Sequence, residues 1–126
     1  MSELSKARAI WFRAAESELA SFKPGDWALD LMMEFHGLIM NGGVFHAIEH
    51  YEPDEVEDAL AAYQYFGLGD AVDLFNEAKA ALDSGEDLGP WEEKLDGRYY
   101  ATFTDELLFE RFEAMLQRNP SEFTPT

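Results

Sequence analysis

The sequence predicts an all-α protein, a single compact domain of six or seven short helices. Along most of the chain, apolar residues recur every three or four positions, which is the helical period. Runs that alternate apolar and polar residues are missing, and the β-branched Val and Ile that favour strands are scarce. Gly, Pro and Asn signals divide the chain at intervals of one short helix, and 126 residues suit one domain.

Leu4, Ala7, Trp11, Ala15, Leu19 and Phe22 define a first helix, which Pro24-Gly25 interrupts. Asp26 reads as the N-cap of a second helix running to about Met40, with Leu31, Met32, Phe35, Leu38 and Ile39 covering most of its surface. Asp30 and Glu34, at i+4 and i+8 from Asp26, leave that helix one narrow wet stripe. Asn41-Gly42-Gly43 stops it, because both residue types tolerate the left-handed backbone of a C-terminal cap. A short helix follows from about Val44 to Tyr51.

Pro53 suits the first turn of the next helix, where Asp54, Glu55 and Glu57 complement the dipole and Val56, Ala59, Leu60, Tyr63 and Phe66 form the buried face. After Gly67 and Gly69, Val72, Phe75, Ala78 and Leu82 mark another amphipathic helix, closed by Ser84-Gly85. Gly89-Pro90 opens a short helical segment with Trp91 and Leu95; Asp96-Gly97 reads as a turn, followed by Tyr99, Tyr100 and Phe103. Thr104 caps a last helix that turns Leu108, Phe112, Met115 and Leu116 inward until Asn119-Pro120, leaving a loose tail from Ser121.

Apolar residues make up 47% and aromatics 14% of the chain, enough for a packed interior and against disorder. The absence of cysteine excludes disulfides, thiolate nucleophiles and thiolate metal sites. Charges interleave the first 19 residues, unlike a signal peptide, and apolar stretches such as Leu31-Met32-Met33 fall far short of the roughly 20 residues that span a bilayer. The expected compartment is the cytoplasm.

Charge is the strongest signal. Against 26 acidic residues stand nine basic ones, for a formal net charge of -17. Repulsion then disfavours nucleic acid and anionic membrane as direct partners and favours a basic protein. Between Lys23 and Lys94 the only basic side chain besides histidines is Lys79.

His46-Ala47-Ile48-Glu49-His50 matches the H-x-x-E-H string of inverted zinc metallopeptidases, in which two histidines one turn apart hold zinc and the glutamate activates water. Three fixed identities in five residues are thin support, and only Glu52, Glu55 or Asp58 stand near enough in sequence to improvise a third ligand. The preferred reading packs one histidine against a neighbouring helix and leaves the other solvated. No nucleophile elbow, P-loop or dinucleotide fingerprint is present, so neither a catalytic residue nor a cofactor is assigned.

The carboxylates have a spacing of their own. Asp70, Asp73 and Glu77 rise by about 4.5 and 6 Å along a helix axis, and Asp54 and Asp58 form a similar pair. Like charges at i,i+4 destabilise a helix by a few tenths of a kcal/mol per pair, so the excess works against the fold locally. A domain of this length has a diameter of roughly 35 Å. Duplex DNA of that length carries about 20 phosphate charges, the same order as the net charge here.

Several segments resemble, in order, the bacterial DNA-mimic protein family, long catalogued as a domain of unknown function. They are Asn41-Gly42-Gly43-Val44-Phe45, Glu57-Asp58-Ala59-Leu60 through Gly67, and Asn76-Glu77-Ala78-Lys79-Ala80-Ala81-Leu82, then Leu95-Asp96-Gly97-Arg98-Tyr99-Tyr100 and Asn119-Pro120-Ser121-Glu122-Phe123. The likeness covers roughly Leu29 to Phe123. It implies an all-helical, often dimeric fold whose acidic surface imitates duplex DNA and occupies a DNA-binding protein such as a transcriptional regulator. The N-G-G and R-Y-Y elements shape the fold in this reading, and the resemblance gives His46 and His50 no metal role.

The sequence thus nominates Glu52, Asp54, Glu55, Asp58, Asp70, Asp73 and Glu77 as partner-binding phosphate mimics, with the acids near Glu86 and Glu92 as a second patch. Two alternatives differ in class: an immunity or antitoxin-like module masking a basic toxin, and a small zinc hydrolase using His46, Glu49 and His50.

Overall fold

The computed structural model describes residues 23–123; the helix expected over Leu4–Phe22 lies outside them. Six α-helices follow one another: α1 (Pro24–Gly42), α2 (Val44–His50), α3 (Pro53–Tyr65), α4 (Gly69–Ser84), α5 (Gly89–Thr102) and α6 (Asp105–Arg118). A 3-10 turn, Pro120–Glu122, closes the chain, and no strand occurs among the described residues. The all-α single domain is as the sequence predicts.

Helix α1 is the axis of the packing. It lies against α2 and α3, α3 pairs with α4, α4 with α5, and α2 also touches α4 and α5. Leu29, Met32, Phe35 and Ile39 recur at three- and four-residue steps along α1 and are fully buried. At the centre, the Phe75 ring meets Phe35, Tyr63 and Tyr99, with centroids 5.1, 5.0 and 5.9 Å away.

Three local expectations are corrected. Pro24 follows extended Lys23 and occupies the first helical position of α1, where its missing N–H costs nothing, so this helix starts ahead of Asp26. Asp26 is therefore not the N-cap. It sits one turn inside, buried, and its carboxylate accepts the Lys23 N–H at 3.2 Å. The wet stripe of α1 accordingly narrows to half-buried Asp30 and exposed Glu34.

Asp96-Gly97 is no turn. Helix α5 runs through it, because Leu95 and Tyr99, one turn apart, are both fully buried and hold the segment helical. The Asp96 carboxylate reaches across to accept the Val44 N–H at 2.9 Å and so caps the start of α2. Finally, Phe123 does not belong to a loose tail: it is buried against Phe112 with centroids 5.5 Å apart. Its ring closes the α1 end beside Gly25, where a Cβ would come within 2.6 Å of it.

The N-G-G element forms the corner between α1 and α2. Gly43 has φ +96°, a backbone that L side chains rarely adopt, and a Cβ there would stand 2.7 Å from the Asp96 carboxylate. Gly43→Ala is expected to lower stability by about 1–3 kcal/mol, measured by chemical denaturation. A loss below a few tenths would show that the corner relaxes freely.

Candidate acidic binding surface

Residues 23–123 carry 23 carboxylate side chains against six lysines and arginines. Among them only two ion pairs between a carboxylate and a lysine or arginine form: Lys79 with Glu57, joining α4 to α3, and Arg98 with Glu77 at 2.9 Å, joining α5 to α4. Two of the other cations are spent differently. Lys94 lies over the Trp91 ring, 5.2 Å from its centre, and Arg111 donates to the Gly67 carbonyl at 3.5 Å.

Of the nine nominated acids, Glu77 is partly covered and neutralised, while the other eight are exposed. They do not form one row. Glu52, Asp54, Glu55 and Asp58 lie at the start of α3, where the Glu55 carboxylate accepts the Glu52 N–H at 3.1 Å and settles the helix end. Asp70 and Asp73 flank the opposite side of α4, lining with Arg98, Thr102 and Phe103 a shallow depression against α5. Glu86 and Glu92 mark the α4–α5 connection, where Glu86 accepts the Trp91 indole N–H at 3.3 Å.

Sequence reasoning missed members of the first group. Burial pushes the Tyr51 phenol well above its ordinary range; Glu34 adds to the shift, followed by Glu55 and Asp30. Carboxylates of α1 therefore join those of α3 around this ring. Helical spacing within one element gave no sign of this, because Glu34 and Glu55 act on Tyr51 from two different helices.

The H-x-x-E-H string lies on α2, with His46, Glu49 and His50 all exposed and the two imidazoles 6.0 Å apart. The His46 ring lies against Gly42 at the end of α1, where a Cβ would come within 2.5 Å of it, and His50 is exposed. Among the described residues no three His, Asp or Glu side chains converge to hold a metal ion.

The buried histidine is His36 of α1, which no motif singled out. Its Nε2 lies 2.7 Å from Asp105 and its Nδ1 2.7 Å from the Tyr99 hydroxyl, which is 2.6 Å from the Tyr63 hydroxyl. A carboxylate only accepts, so Nε2 carries a proton; with a neutral ring, Tyr99 donates to Nδ1 and Tyr63 donates to Tyr99. One polar chain thus ties α1, α3, α5 and α6 together.

Burial raises the phenols of Tyr63 and Tyr99, the first reinforced by Tyr99 and the second by Asp105 against a lowering hydrogen bond from Tyr63. Folded-state values above the unfolded value of about 10 make this contribution complete below that pH and lost as pH rises through the folded values. Above about pH 10, stability is expected to fall by up to about 1.4 kcal/mol per pH unit for each. Tyr63→Phe should reduce that slope by one tyrosine. Phenolate absorbance rising near pH 10 for all five tyrosines with helical circular dichroism intact would contradict this.

Fold and surface together define a class: an all-helical domain that holds a large uncompensated negative charge on a packed aromatic core. A family model described as DMP19-like protein matches residues 20–123. The chain belongs to that family. No curated protein and no solved structure matches it significantly. No helix among the described residues is long and apolar enough to cross a membrane.

Proposed function

We propose that this protein is a DNA mimic, an acidic decoy that occupies the DNA-binding surface of a basic regulator or other nucleic-acid-binding protein in the cytoplasm. The observation that carries the reading is the poverty of neutralisation on the exposed acids: only two Lys or Arg ion pairs form among the described residues, and exposed Glu52, Asp54, Glu55, Asp58, Asp70 and Asp73 belong to neither. A solvated surface of ordinary composition interleaves both signs. Here these exposed carboxylates are held at helical spacing and remain available to an outside cation. Membership of the DMP19-like family supports the same reading. A symmetric pair of copies would lengthen the acidic surface and match more of a duplex-binding groove.

Charge complementarity of this kind gives fast association and steep salt dependence. Affinity capture from the native cell at ~50 mM salt is expected to recover a nucleic-acid-binding protein that ~200 mM salt releases. Recovery of only neutral or acidic proteins, held unchanged by salt, would overturn the proposal. Recovery of a basic toxin encoded beside this chain would favour an immunity role instead.

A further inference from the structure

The helices α2, α3 and α4 enclose a cleft of about 410 Å³, near the lower end of the range for ligand pockets. Its floor is apolar, built from Ile48, Val56 and Leu82 with the Tyr51 ring at one side. Its rim carries Asp54, Glu57 and Asp83 against one cation, Lys79. Glu57 already holds that lysine, so neither Asp54 nor Asp83 has a lysine or arginine partner among the described residues.

The backbone adds to this field. Leu82 and Asp83 belong to the last turn of α4, which contains no basic residue, so the negative end of that helix dipole is uncompensated. Helix α2 also ends here, two residues after Ile48, with His50 in its last turn. The opposing positive end of α3 is already met by Asp54 and Glu55 in its first turn.

Resting on the decoy reading, we propose that this cleft anchors one arginine side chain of the protein partner, its stem on the Ile48, Val56 and Leu82 floor and its guanidinium between Asp54 and Asp83. A wholly apolar ligand would make no use of the two exposed carboxylates. A metal ion would find no set of three ligands here. Arginine meets both demands: it buries an aliphatic stem, is weakly hydrated, forks onto carboxylates and stacks on an aromatic ring such as Tyr51. Duplex DNA offers a regulator phosphates but no such floor, so the anchor gives the partner a contact that DNA does not supply.

The test titrates the full-length, isotope-labelled chain with two blocked peptides of equal length and charge, one oligoarginine and one oligolysine, at ~50 mM salt. Oligoarginine is expected to bind about tenfold more tightly, shifting the methyl resonances of Ile48, Val56 and Leu82. The double variant Asp54→Asn, Asp83→Asn, which alters only exposed side chains, is expected to remove the difference between the peptides. Equal affinities, or arginine binding that leaves those methyls unmoved, would overturn the anchor while salt-dependent binding of both peptides leaves the decoy reading standing. Failure of both peptides to bind at this salt would overturn the two together.

Discussion

Phe75→Ala is expected to lower the unfolding free energy by about 3–5 kcal/mol. The ring is fully buried, and it is the element on which aromatic side chains from α1, α3 and α5 converge. Its removal takes away the transfer free energy of a phenyl group and leaves a void bordered by rigid rings, which relax less readily than aliphatic chains. The same rings position the buried Tyr99–Tyr63 hydrogen bond, so the damage spreads to a polar chain that must stay satisfied. A domain of this size has about 5–15 kcal/mol in total, so the variant falls close to the limit of folding. Urea denaturation provides the check; a loss below about 1 kcal/mol would show that Phe75 is not the keystone of the core.

The second large effect concerns binding. Neutralising the start of α3 with Glu52→Gln, Asp54→Asn, Glu55→Gln and Asp58→Asn is expected to weaken capture of the basic partner roughly a hundredfold, at about 0.7 kcal/mol per exposed charge. These replacements keep side-chain size, and the Asn and Gln oxygens still accept the hydrogen bonds that carboxylates make at this helix end. Relief of the Asp54–Asp58 repulsion and loss of the favourable dipole contact act in opposite directions, each by tenths of a kcal/mol. Stability should therefore hardly change while affinity collapses. Equal retention of partner by the variant and the unaltered chain in the same pull-down would remove this face from the account.

Much of the helical frame was legible because apolar periodicity survives wherever one face is buried, as in Val56, Ala59, Leu60 and Tyr63 of α3. Failures cluster where distant residues decide local structure. Asp96-Gly97 has turn chemistry, yet the Asp96 carboxylate serves the start of α2, 52 residues away in sequence, and Gly97 costs only about 1 kcal/mol within a helix that packing maintains. Asp26 has cap chemistry, yet Pro24 suits a first helical position and starts α1 ahead of it. Phe123 follows a break signal, and only the ring of Phe112 shows that the chain returns to the core.

The candidate surface was legible as charge but not as arrangement. Composition shows the excess of carboxylates directly; it does not show that Glu77 meets Arg98, that Asp54 and Asp70 flank different sides of α4, or that Glu34 approaches the α3 group. His36 escaped notice for a similar reason, since its partners lie 63 and 69 residues away.

Duplex competition on the captured partner tests the central claim most directly. With the partner immobilised and its duplex target bound, added protein should displace the DNA stoichiometrically, and excess duplex should in turn release the protein. A stable ternary complex, with both ligands seated on the partner at once, would contradict the claim that these carboxylates occupy the place of phosphates.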